Sequence, residues 1–304
     1  LLIDELTNIK IMIPSYFCGQ SLKYLRDAGV DFIFYELNDD LSPNYLEIEK
    51  KLNSTDCNLF LHVHYFGNIS NQVKTQKLCK KYSLLMIEDC AHIIHPSVKD
   101  VWYGDYVFFS PHKFFPVPCS SVIFFKERFQ YSNLYQTINF SFFWYLKKIL
   151  AKFIYFKNYK SSHNWSIKWS NNSSMPSFKV PNSIYLDIVN SDINQIKKIS
   201  KIREINNNRL LKVLLKHDFW RPIQDYDFAG VPYILGMKCT SKSTAVKIQK
   251  KLSLVKCPIM MWPDMPIEIK LSSINTKNDI ERVHKTIFFY VHEQIDIGRY
   301  EELI

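Results

Sequence analysis

The chain has 304 residues, 47% of them hydrophobic, and its 39 Lys+Arg against 29 Asp+Glu give a formal net charge of +10. That size supports one large domain and a smaller one, and the lysines are too scattered to form a nucleic-acid tail, so nucleic acid is not an expected partner. The 7 cysteines follow no regular spacing; Cys18, Cys57, Cys90, Cys119, Cys239 and Cys257 lie mostly in or beside apolar runs, and no secretory signal opens the chain, which predicts buried, reduced thiols in a cytoplasmic protein.

The first half alternates between the strand and helix periods. Ile9–Ile13 reads as a strand, Gly19–Ala28 as a helix and Asp31–Leu37 as a strand. Pro43 after Ser42 predicts a helix start running to Leu52. Asn58–His64 reads as a strand, Gln72–Tyr82 as a helix and Ser83–Asp89 as a strand, with short strands near Tyr106–Phe109 and Ser121–Phe125. This order predicts a mostly parallel sheet with helices on its faces and chemistry at the carboxyl ends of its strands. Thr137–Lys157 is apolar, but Lys147, Lys148 and Lys152 interrupt it too early for a membrane span; a buried or subunit-packed helix is expected over one lying on a membrane surface. Ser161–Ser177 reads as a loop or domain boundary. Beyond it, Ser183–Lys216 is largely helical, followed by a strand (Val231–Met237), a helix (Thr244–Leu252), a strand (Cys257–Trp262) and a helix–strand pair over Asn278–His292. That order suits a small α+β domain.

Two strand ends carry the candidate chemistry. The apolar run Leu84–Ile87 ends in Glu88-Asp89-Cys90-Ala91-His92, and the next, Val107–Phe109, ends in Ser110-Pro111-His112-Lys113. A strand-end aspartate is often a turn residue and a lysine is usually solvated. Side by side on neighbouring strands they match the needs of pyridoxal phosphate: an amine to hold the aldehyde as a Schiff base, and a carboxylate to keep the pyridine nitrogen protonated. Burial of Lys113 among Phe109, Phe114 and Phe115 would favour the neutral, nucleophilic amine. Ser110 could donate to the cofactor phosphate and His92 to the ring oxygen. A metal reading rests on His62 and His64 sharing one strand face, with His92, His95 and His112 near the strand ends; no tight Cys/His spacing supports it, and no metal is expected.

IEDCAH (87–92) followed by GDYVFFSPHK (104–113) resembles the DegT/StrS-type pyridoxal-phosphate-dependent sugar aminotransferases. IMIPSYFC (11–18), LHVHYFGN (61–68), KISKIREINNNRLLKVL (198–214) and FFYVHEQI (288–295) are similar to further family segments, in order along nearly the whole chain. The resemblance implies an α/β fold-type-I PLP transferase: a mostly parallel sheet with flanking helices in a large cofactor-binding domain over 1–180, and an interdomain helix with a small C-terminal α+β domain over 181–304. It implies Lys113 as Schiff-base lysine and proton shuttle, Asp89 at the pyridinium nitrogen, His92 beside the ring, Ser110 at the phosphate, and one of Tyr16, Phe17 and Cys18 facing the ring. The cofactor would be pyridoxal 5'-phosphate. The substrate would be a nucleotide-linked keto sugar with glutamate as amino donor, and the site would form at a homodimer interface.

Two departures stand out. The family's Gly-Ser/Thr phosphate segment, expected ahead of the first Pro-aromatic strand, has no counterpart between Leu1 and Pro14. Where the family has glycines after the lysine, this chain has Pro118-Cys119-Ser120-Ser121. The first means either that this sequence is a fragment whose phosphate segment lies ahead of Leu1 or that phosphate binding is weakened, and it motivates an alternative: a catalytically degenerate member acting as a binding or partner subunit. Relatives that dehydrate sugars replace the lysine with histidine; Lys113 is present beside His112, which favours transamination.

Overall fold

The structure, a computed structural model, describes residues 8–69, 71–94, 103–115, 121–125, 169–170, 193–224, 230–255, 257–262, 264–271 and 277–303. Thr137–Lys157, most of Ser161–Ser177, His95, Cys119 and Pro263 lie outside them.

Six strands form the first sheet: β1 (Lys10–Pro14), β2 (Asp31–Tyr35), β3 (Leu59–Val63), β4 (Leu85–Cys90), β5 (Tyr106–Phe109) and β6 (Val122–Phe125), in the spatial order β2-β1-β3-β4-β5-β6. All neighbours are parallel except β5 and β6. Ile11, Met12 and Ile13 of β1 are all buried, as a parallel strand covered on both faces requires. The chain leaves β1 first towards β2 and later returns on its other side as β3, so the order reverses at β1 and a crevice opens beyond the carboxyl ends. A 3-10 turn (Gly19–Leu22) with α1 (Lys23–Asp27), α2 (Tyr45–Leu52) and α3 (Gln72–Lys81) make the connections.

The start of α2 differs from expectation. Pro43 pairs in extended form with Leu37, and Asn44 is the cap, its side chain accepting from the Glu47 amide at 3.3 Å. An Asx oxygen satisfies a free amide of the first turn, which proline cannot do. Asn44→Ala is expected to cost about 1 kcal/mol, read as a lower urea midpoint at unchanged slope.

The second sheet is antiparallel, in the order β10-β12-β9-β8: β8 (Trp220–Pro222), β9 (Ile234–Cys239), β10 (Ile259–Met260) and β12 (Thr286–Tyr290). A two-stranded pair joins β7 (Trp169–Ser170) to β11 (Met265–Pro266), inside the region read as loop. The helices are α4 (Ile193–Leu214), α5 (Lys242–Leu254), α6 (Ile267–Leu271), α7 (Lys277–Lys285) and α8 (Ile297–Leu303). β8, β11 and α8 went unrecognised in the sequence, and the strand expected at Cys257–Trp262 shortens to Ile259–Met260. The strand expected from Val231 starts at Ile234, because the preceding residues dock on the first sheet: Tyr233 N–H donates to the Phe66 carbonyl at 2.9 Å, and Gly230 bridges Asn68.

Alternation on the second sheet separates two cores. Leu235, Met237, Ile287 and Phe289 face Leu210, Leu214, Leu252 and Tyr300, whereas Ile234 and Phe288 join the core of the first sheet with Ile223, Met265 and Val283. A buried ion pair reinforces that junction. Asp279 and Arg282 of α7 pair with each other; the Asp279 carboxylate accepts from the Ser15 hydroxyl, and Arg282 donates to the Leu37 and Asn38 carbonyls. Among the described residues the cysteines are free, and no helix is long and apolar enough to cross a membrane.

Candidate active site

The carboxyl ends of β1, β3, β4 and β5 supply the site. β4 and β5 run in register, with Asp89 opposite Phe108 and Cys90 opposite Phe109, so residues just past both strands meet. Asp89 is 7% exposed. Its Oδ1 accepts from the Ala91 amide at 2.8 Å, a turn that ends the strand and presents His92 two residues on. Burial pushes the Asp89 carboxyl up, and Lys113, the Ala91 amide and His64 pull it back.

Lys113 ends a single 3-10 turn (Pro111–Lys113) that begins at β5: its amide donates to the Ser110 carbonyl at 3.0 Å, and the Phe114 amide to that of Pro111 at 2.9 Å. Proline at the first position of the turn suits its fixed φ. Burial pushes the Lys113 ammonium pKa down, against the fields of Asp89 and Cys18, and burial prevails. The amine is thus biased towards the neutral form a nucleophile needs. Phe109 and Phe114, flanking it in sequence, are buried, while His112 is exposed.

His92 is held neutral, its pKa well below the usual histidine value because of burial and then the Lys113 charge. Its Nδ1 accepts from the Phe66 amide at 3.3 Å, so the ring proton sits on Nε2 and that nitrogen is a donor. Ser110 is buried, and its hydroxyl does not cap the turn it precedes.

The three candidates after β1 separate. Tyr16 is fully buried and stacks on Trp262 at 4.2 Å, with Arg282 5.4 Å from its ring. Phe17 is half-buried against the main core. Cys18 is the one whose field reaches Lys113; its thiol donates to Asp264 Oδ1 at 2.8 Å, and burial followed by that hydrogen bond pushes its pKa up to about 11.

The histidines behind β3 and β4 are core imidazoles. His62 Nδ1 bonds the Thr75 hydroxyl at 3.0 Å, and His64 Nε2 lies 3.1 Å from Glu88. His64, Glu88 and Cys90 bring donor atoms within 4.8 Å of one another. Glu88 Oε1 is already occupied by the Tyr103 and Gly104 amides, so this carboxylate pins the turn entering β5. Sequence reading overlooks three residues of the site, Phe66, Arg203 and Tyr233; it places Asp264, with Trp262, in a loop that either touches substrate or packs, and Asp264 accepts from the Cys18 thiol and the Gln20 amide. Of the three, only Phe66 had a signal, its place before Gly67 in HYFGN.

The residues present fit pyridoxal phosphate. A buried carboxylate and a half-buried amine of lowered basicity sit past adjacent strand ends, each in the other's field, with a neutral imidazole donor that also feels the amine's charge.

Comparison with known proteins agrees. Residues 10–118 match the model of the DegT/DnrJ/EryC1/StrS aminotransferase family, which bears out the resemblance carried by the motifs. No curated protein matches in a sequence search. Among solved structures, the aminotransferase TlmJ from Streptoalloteichus hindustanus superposes with a TM-score of 0.69 at 13% identity, over 97% of this chain and 77% of that one. Helicobacter pylori PseC, an aminotransferase of pseudoaminic acid biosynthesis, gives 0.67 at 15% identity over 98% and 79%. NtdA from Bacillus subtilis, with bound cofactor PMP, gives 0.69 at 14% identity over 99% and 68%. The fold is that of the fold-type-I PLP transferases.

Proposed function

We propose that this protein is a pyridoxal-phosphate-dependent aminotransferase acting on a nucleotide-linked keto sugar, with glutamate as amino donor, in polysaccharide or related amino-sugar biosynthesis. It would work in the cytoplasm as a homodimer, with a cofactor-binding domain over 1–180 and a smaller one over 181–304. The observation that carries this reading is the pairing of Asp89 and Lys113 at the ends of β4 and β5, each electrostatically coupled to the other. The matched family and the sugar aminotransferase among the structural neighbours support it.

Bound there, pyridoxal phosphate would supply an aldehyde that captures amines and a ring that accepts the electron pair left at the reacting carbon. The chain does the rest. Lys113 attaches the cofactor and, once displaced, moves the proton at the reacting carbon, a task for which its lowered basicity suits it. Asp89 holds the proton on the ring nitrogen; its burial leaves it in need of a cationic partner. His92 donates from Nε2, Ser110 contacts the phosphate, and Cys18 lines the wall beside Lys113.

The test is the first half-reaction. Protein supplied with pyridoxal phosphate and glutamate should release 2-oxoglutarate in one equivalent per site. Asp89→Asn should bind cofactor yet release 2-oxoglutarate on the order of 10²-fold more slowly. Cofactor binding without any release of the keto acid would favour the degenerate partner-subunit reading instead.

A further inference from the structure

His92 is held by segments far apart in sequence. Its ring packs near-parallel against Phe66, with centroids 5.5 Å and planes 13° apart, and against Tyr233, at 4.5 Å and 10°. Phe66 lies at φ 56° and ψ 24°, a left-handed conformation that costs a bulky residue roughly 1–3 kcal/mol. The strain has a visible return: in that conformation the Phe66 amide donates to His92 Nδ1, and its carbonyl accepts from the Tyr233 amide. The Lys113 amine stands 5.9 Å from the Tyr233 ring centroid, and Phe114 meets that ring edge-on at 5.3 Å. From the far side, buried Arg203 of α4 donates to the Tyr233 carbonyl at 3.4 Å and covers Phe114 at 4.9 Å. Tyr233 thus brings the segment entering β9 against His92 and near the Lys113 amine, with Arg203 of α4 packed behind it.

We infer that Tyr233 is a positioning residue: through its ring contact with His92 and its backbone bond to Phe66, it holds the imidazole as an Nε2–H donor beside Lys113. A neutral imidazole can present either nitrogen as donor, and only the outward Nε2–H tautomer can serve an acceptor in the site. The amide on Nδ1 selects the tautomer, and the ring contact fixes the plane. The charged and titratable groups around this arrangement are Lys113, Asp89, His64, Cys18, Arg203 and the Glu293 that pairs with Arg203.

The inference rests on reading Lys113, Asp89 and His92 as a cofactor site, but its test does not need the cofactor. Nitrogen NMR of the full chain labelled at histidine, with the His92 signals assigned by their loss in His92→Gln, reports the tautomer directly. Wild type and Tyr233→Phe should show one Nε2–H form. Tyr233→Leu should show averaged tautomers, or an imidazole that titrates in the ordinary histidine range. If Tyr233→Leu does not fold, Tyr233→Met preserves the bulk without the aromatic face and carries the same expectation. A His92 spectrum unchanged in a folded Leu or Met variant overturns the inference. Should that spectrum respond as expected while wild-type protein forms no cofactor adduct on Lys113, the positioning role stands and the cofactor reading falls.

Discussion

Lys113→Ala should abolish amino transfer, with turnover falling by about 10³-fold or more, because attachment point and proton shuttle are lost together. The fold should survive. Burial lowers the Lys113 pKa, so the folded state disfavours the charged amine relative to the unfolded chain. At neutral pH, below the unfolded lysine value, this ammonium opposes folding, and its removal should leave the thermal midpoint unchanged or raised. Loss of activity with retained stability is the signature of a residue kept for chemistry. A large fall in stability would instead mark Lys113 as a packing element.

Gly67→Ala should destabilise the protein by about 4 kcal/mol or more, or prevent folding, read from denaturant midpoints. Gly67 sits at φ 97°, in the left-handed region, and a Cβ there would lie 1.9 Å from the Val231 carbonyl oxygen. The obstacle is backbone, so no rotamer change relieves it. Gly230 faces the same contact from the other side, where a Cβ would lie 2.0 Å from the Gly67 oxygen. The two glycines let the second sheet dock at the end of β3, and this docking places Tyr233 against His92. A milder variant that folds should therefore perturb the His92 spectrum as well. An alanine at 67 tolerated at little cost would show that the two segments are not pressed together.

Much of the first sheet was legible because its strands are short apolar runs separated by amphipathic helices, and a parallel sheet then puts Asp89 and Lys113 side by side. The motif carrying the site is local for the same reason: each functional group lies within four residues of a strand end. What stayed hidden is non-local. Nothing around Tyr233 distinguishes it from a core tyrosine; its role appears only once the residues ahead of β9 pair with 66–68. Likewise nothing in the sequence marks Asp279 and Arg282, three apart on α7, as buried; the pair is covered because it meets Ser15 and the carbonyls of 37–38. Cys18 could not be separated from Tyr16 and Phe17, since the chain after β1 leaves the strand period and alternation no longer says which side chain faces the crevice.

The most direct measurement is chemical trapping. The protein is mixed with pyridoxal phosphate, reduced with borohydride and digested, and the modified residue is located by mass spectrometry. The expected result is a single reduced adduct on Lys113, absent from Lys113→Ala and retained in Asp89→Asn. Well-folded protein with Lys113 unmodified, or with adducts spread over surface lysines, would contradict the assignment of this site.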